Sequence, residues 1–185
     1  MLTASGVAEI VDLQHHPFGN SYFPTAKCGG APYDPDTRHC WAKECTTDVS
    51  SPPSDCFTGT PVVQHGTTEY DVNKVQACAQ TLTTGDDLVT KRYWPFVVCM
   101  EKDYESKGEA AARSCAREAG IEYTQLDSCY TGAAGDAAVV AQAKATIDHP
   151  GTPYISVNGT PVQGDVLSAV CAAYKGTAPA GCSKA

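Results

Sequence analysis

Ten cysteines, Cys28, Cys40, Cys45, Cys56, Cys78, Cys99, Cys115, Cys129, Cys171 and Cys182, are the residues best able to do chemistry in this sequence. Thiol–disulfide exchange needs a thiolate, and exchange sites obtain one by pairing two cysteines across two residues at a helix N-terminus. No C-x-x-C occurs anywhere in the chain. Cys40 and Cys45, in "HCWAKEC", are the only closely spaced pair, with four residues between them and no evident helix start, so structural bridging is favoured over exchange. Zinc is disfavoured for the same reason, since His15 and His16 have no cysteine at ligand spacing. No metal and no cofactor is expected. An even number of cysteines at this density implies up to five structural disulfides in an oxidising, lumenal or extracellular compartment.

The rest of the composition narrows the partners. A net charge of -8 with no run of Lys and Arg repels phosphate backbones, so nucleic acid is excluded as a partner. No stretch reaches the roughly 20 apolar residues of a membrane span, and "MLTASGVAEIVDL" has neither a basic n-region nor a continuous apolar h-region. The cysteines point to the secretory pathway, yet the start carries no address, which implies a processed form or an import signal lying elsewhere. At 185 residues the chain is expected to form one domain.

The elements that must position these residues follow from periodicity. Residues 7–13, "VAEIVDL", read as a buried strand running into the "HHPFGN" turn. Residues 24–60 hold four cysteines among Gly, Pro, Asp and Ser, and read as a loop stapled by two local bridges. Tyr33, Trp41 and the acidic residues around them are a possible recognition patch. Helical periodicity then dominates residues 73–147, with Val72, Val75, Ala79 and Leu82 on one face. A second helix starts near Trp94, a third covers "GEAAARSCAREAG" and stops at Gly120, a short turn follows around Gln125, and a fourth covers "DAAVVAQAKATI". Period two returns in "TPYISVNGTPV", a hairpin about Asn158-Gly159, and Asp165 caps a last helix whose Val166, Val170, Cys171 and Tyr174 share a face.

Strand, helices, a hairpin opened by Thr152-Pro153 and a closing helix resemble the second half of the thioredoxin fold, in which a cis-proline precedes the antiparallel strand. The helical block resembles the insertion of the DsbA-like branch. The segment "QHGTTEYDVNKVQAC" adds a more specific likeness. Gln64, His65, Gly66, Glu69, Asn73 and Cys78 match in spacing the motif C-Q-H-G-x-x-E-C-x-x-N-x-x-x-x-C of the gamma-interferon-inducible lysosomal thiol reductases, the GILT family. "VVCME", "YISVNGTPV", "DLQHHPFGN" and the pair Cys171 and Cys182 resemble further family segments. Val63 and Tyr70 stand where the motif has cysteines.

The resemblance implies an α/β, α+β-like, incomplete thioredoxin-like fold with a helical insertion at 73–147 and a disulfide-rich insert at 24–60. It implies protein-disulfide reduction as the family activity, with the family's C-x-x-C lying upstream of the segment matching residues 4–20. That portion is expected to be absent here, so residues 1–185 are expected to be inactive alone. The alternative is a non-catalytic scaffold or subunit that binds protein in a lumenal assembly, lysosomal by resemblance. Thr152 and Pro153 are candidates for the cis-proline loop, with a structural role favoured over peptide contact. His65 reads as a turn histidine satisfied by local backbone rather than a general base. Asn158-Gly159-Thr160 is both a glycosylation sequon and a preferred hairpin turn. Cys28, Cys40, Cys45 and Cys56 are expected to pair among themselves, and Cys171 with Cys182. In the thioredoxin order the strands at 7–13 and 154–157 would flank an empty slot, which a strand donated by another polypeptide would fill.

Overall fold

The computed structural model describes residues 5–46 and 49–184. It is helix-rich with a small antiparallel sheet: α1 (Pro35–Cys45), α2 (Thr67–Leu82), α3 (Tyr93–Lys107), α4 (Glu109–Ala119), α5 (Tyr123–Thr131), α6 (Ala133–Ala145), β1 (Ser156–Val157), β2 (Thr160–Pro161) and α7 (Val166–Ala173). The fold is α+β, and all ten cysteines are bridged.

The first helix overturns the reading of residues 24–60 as a loop. Asp34 accepts from Thr37 N at 2.7 Å and Pro35 occupies the first turn, a start signal that holds a helix even inside a Gly- and Pro-rich segment. Its Trp41 is buried at 1% exposure, so it is no part of a surface patch. The indole donates from Nε1 to the Cys56 carbonyl at 3.0 Å and packs against Phe18, Phe23 and Phe57, with ring centroids 5.5 to 6.3 Å apart. Val139 and Ala143 of α6 join this core. The insert is therefore held by an aromatic core as well as by its bridges.

Those bridges are Cys28–Cys40 and Cys45–Cys56, the local pairing expected from the sequence, and Cys171–Cys182 joins α7 to the tail as expected. Cys78–Cys129 ties α2 to α5 and Cys99–Cys115 ties α3 to α4. Around the last two lies a second core in which Tyr93, Phe96, Met100, Ala116 and Leu126 are almost fully buried. Apolar residues at helical spacing make this core, as the periodicity predicts. The helix at 67–82 begins before Asn73, and the turn around Gln125 extends to nine residues.

The N-terminal strand is not formed. Gly6 (φ 73°) opens a 3-10 turn at Val7–Ile10, Val11 is extended, and residues 11–16 have no ladder partner among the described residues. A β-rich apolar run makes a strand only when a neighbouring backbone accepts the ladder, and none does so among the described residues. The expected slot thus lacks one of its borders. The hairpin does form, shorter than the alternation suggested, with Val157 opposite Thr160 across the Asn158-Gly159 turn.

Candidate functional site

The segment "QHG" is first of all a helix entrance. Gly66 precedes α2 at φ 86° and ψ -167°, a backbone region open to glycine alone. Glu69, at the third helical position, turns back so that its Oε2 accepts from the His65 backbone N at 2.6 Å, satisfying a donor that the helix start leaves orphaned. The His65 ring is exposed and lies 3.3 Å from the same carboxylate. A carboxylate, not local backbone, is its partner, which corrects the sequence reading of this side chain.

From that entrance the motif reaches across the molecule. Gln64 Oε1 accepts from Asn20 Nδ2 at 2.6 Å, and Asn20 Nδ2 also donates to Thr152 Oγ1 at 3.2 Å. Asn73 Nδ2 donates to Ser21 Oγ at 3.5 Å, and Gln80 Nε2 to the His15 carbonyl at 2.9 Å. One face of α2 thus seats residues 15–21. Thr152-Pro153 is a cis peptide, so the proline loop, the "HHPFGN" segment and the motif converge on Asn20. Asn20 is 9% exposed.

The loop before Pro153 is gripped from the other side by α1. Arg38, 2% exposed, donates through NH1 to Asp148 Oδ1 at 3.0 Å and to the His149 carbonyl at 2.5 Å. Asp148 also meets His39 Nδ1 at 2.6 Å. Burial opposes charge on Asp148, but the His39 hydrogen bond and the charges of His39, Arg38 and Lys43 outweigh it and hold the carboxyl below its usual range. His149 bridges the carbonyls of Gly19 and Gly151 and stacks on Tyr154 at 5.7 Å. Burial, and next the nearby Arg38, lower its pKa, opposed by the two carbonyls, which favour the charged form. Asn20, Arg38, Asp148 and His149 escape sequence reasoning because their partners lie 44 to 132 residues away.

No side chain in this constellation is a nucleophile. Cys78 lies in the α2–α5 bridge with 0% exposure, and Cys40 and Cys45 sit in two separate bridges. The remaining motif residues Glu69 and Asn73, with His65, Val72 and Glu101, line an open cleft of about 330 Å³. Tyr70, at a motif cysteine position, packs beside the aromatic core, while Asn158 sits exposed at the hairpin tip.

Residues 51–119 match the family described as Gamma interferon inducible lysosomal thiol reductase (GILT). Residues 51–119 are thus similar to the GILT family. The match spans Gln64 to Cys78, Cys99 and Cys115, and the thioredoxin-like reading of the fold is consistent with this likeness. No curated protein matches the chain. The five disulfides fit a lumenal or extracellular protein, and among the described residues no helix is long and apolar enough to cross a membrane.

Proposed function

We propose that residues 1–185 serve as the thioredoxin-like scaffold of a GILT-type protein, lysosomal or otherwise lumenal, binding polypeptide without performing thiol exchange themselves. The observation that carries this reading is that all ten cysteines are in bridges, which leaves no thiolate to attack a substrate disulfide. Protein-disulfide reduction, the family activity, then requires a C-x-x-C supplied from outside these residues, placed where Asn20, Thr152 and Pro153 converge.

A purely non-catalytic, partner-binding role draws support from the C-terminal module. No residue of α7 is buried although its sequence, "VLSAVCAA", is almost wholly apolar. Ile147, Ile155 and Tyr174 are each at least 40% exposed. An apolar helix left half-covered beside a short sheet suits a surface completed by another polypeptide, including a donated strand.

Reductase turbidity with insulin tests the shared premise. The purified chain is expected to match the dithiothreitol blank. A rate well above the blank that Cys40→Ser abolishes overturns it.

A further inference from the structure

We infer that the Cys171–Cys182 bridge is a redox latch: a soluble dithiol opens it while the other bridges stay closed, and its opening frees the C-terminal tail from α7 and releases residues 5–10. Access divides the bridges first. Cys45–Cys56, Cys78–Cys129 and Cys99–Cys115 each include a cysteine at 0% exposure, namely Cys56, Cys78 and Cys115. Both cysteines of Cys28–Cys40 and both of Cys171–Cys182 are half-buried. An attacking thiolate must reach a bridge sulfur, so the accessible pairs are the labile ones.

The surroundings then separate these two pairs. Beside Cys28, Thr25 and Gly29 exchange backbone hydrogen bonds at 2.9 and 3.0 Å, and Cys28 N donates to Thr25 Oγ1 at 3.1 Å. Cys40 sits in α1 next to the buried Trp41 and two residues after the buried Arg38. Reduced, these thiols stay face to face, at a high effective concentration that re-forms the bond. Cys171 lies on α7, where no residue is buried, and residues 174–178, which lead towards Cys182, are all exposed. Once that bond breaks, the connection lets the sulfurs part.

The N-terminal segment rests on the same tail. Gly181 N donates to the Ser5 carbonyl at 2.8 Å, and a Cβ at Gly6 would meet Pro179 Cβ at 2.8 Å. The 3-10 turn at Val7–Ile10 packs on the one at Ala180–Lys184, which packs on α7. The bridge is the covalent member of this line of contacts from α7 through the tail to residues 5–10.

The opening is a thiol–disulfide exchange. One thiolate of the dithiol attacks a bridge sulfur, and the Cys171–Cys182 bond breaks as a mixed disulfide forms. The second thiolate of the reagent displaces the remaining cysteine. The dithiol leaves oxidised to a disulfide, and its electron pair and protons stay on Cys171 and Cys182 as two thiols. Those thiols lie in the second half of α7 and in the tail, not at a helix N-terminus, so opening creates no exchange site. What the bared face of α7 then binds rests on the partner-binding reading above, whereas the opening itself does not.

The test is to equilibrate the oxidised whole chain with dithiothreitol at graded ratios of reduced to oxidised reagent, quench with an alkylating reagent, map the cysteines and follow hydrogen exchange on the same samples. Cys171 and Cys182 are expected to be alkylated at ratios that leave every other cysteine bridged, with faster exchange in residues 5–10 and 174–183 and unchanged exchange in α2 and α5. The variant Cys171→Ser with Cys182→Ser, kept oxidised, is expected to show that exchange pattern from the start and to ignore the same ratios. Another bridge opening at or before this one overturns the latch, as does an opened bridge that leaves exchange in residues 5–10 unchanged. Neither measurement involves a partner, so failure of the partner-binding reading would leave both results standing.

Discussion

At the scale of single residues, one polar contact braces the loop before Pro153 and another holds the buried His15, and they respond differently to change. Arg38 is a desolvated cation whose Nε has no partner, so its charge depends on Asp148. Removing one member of a fully buried pair costs about 3–5 kcal/mol, but the Asp148 side chain is 34% exposed, which screens the pair and reduces the expectation to roughly 1–3 kcal/mol. Asp148→Asn is therefore expected to lower the urea midpoint, and Arg38→Met in the same chain to restore most of the loss, because the orphaned charge is gone. Equal losses in single and double variants, measured as a double-mutant cycle, contradict this. His15 gives the pH dependence. Burial, with the charge of His16, pushes its pKa down to about 4, and its Nδ1 takes the Tyr93 hydroxyl at 2.7 Å. A pKa lowered in the folded state means that the unfolded chain binds the proton first. Stability from this residue is complete above about pH 6.5 and falls until about pH 4, by on the order of 2–3 kcal/mol. Replacing His15 by Gln keeps an acceptor for Tyr93 and is expected to flatten the melting temperature across that window. A variant with the wild-type pH profile contradicts the assignment.

Among the elements, the bridges and one glycine set the order of stability. In the chain-entropy picture the α2–α5 bridge, closing 51 residues, contributes about 4 kcal/mol, and Cys28–Cys40, closing 12, about 3 kcal/mol. Cys78→Ala with Cys129→Ala is therefore expected to lower the melting temperature further than Cys28→Ala with Cys40→Ala. The reverse order in calorimetry contradicts it. Gly135 lies in the first turn of α6, packed against the end of α5, where an added Cβ meets the Cys129 carbonyl at 2.5 Å and Lys74 Cε at the same distance. The lysine stem can move and the carbonyl cannot, so Gly135→Ala is expected to cost about 1–3 kcal/mol by denaturant titration, against the gain that alanine brings to an open helix. The helical block was legible in the sequence because its apolar residues repeat at helical spacing and its stop at Gly120 is local, as is the Asp165 cap of α7. Residues 7–13 misled because a β-rich apolar run reports what a strand would bury, not whether a partner strand is beside it. The insert misled in the opposite sense, since Gly and Pro density masked the Asp34-Pro35 start and a tryptophan that anchors the core.

For the molecule as a whole, the local pairs among the ten cysteines were legible, while the convergence of Gln64, Asn20 and Thr152 was not, because it joins residues that sequence spacing keeps 44 and 132 positions apart. The motif residues Gln64, His65, Gly66 and Glu69 form a helix entrance, and the face of α2 that follows seats residues 15–21, roles that need no thiol. The account stands on the absence of a free thiol. Non-reducing peptide mapping of the oxidised chain, with alkylation of any free cysteine before digestion, tests that most directly. The expected result is no alkylated cysteine and five linked peptides, Cys28–Cys40, Cys45–Cys56, Cys78–Cys129, Cys99–Cys115 and Cys171–Cys182. An alkylated pair, or a bridge joining Cys40 to Cys45, would return the insert to the chemistry of exchange and contradict the scaffold reading.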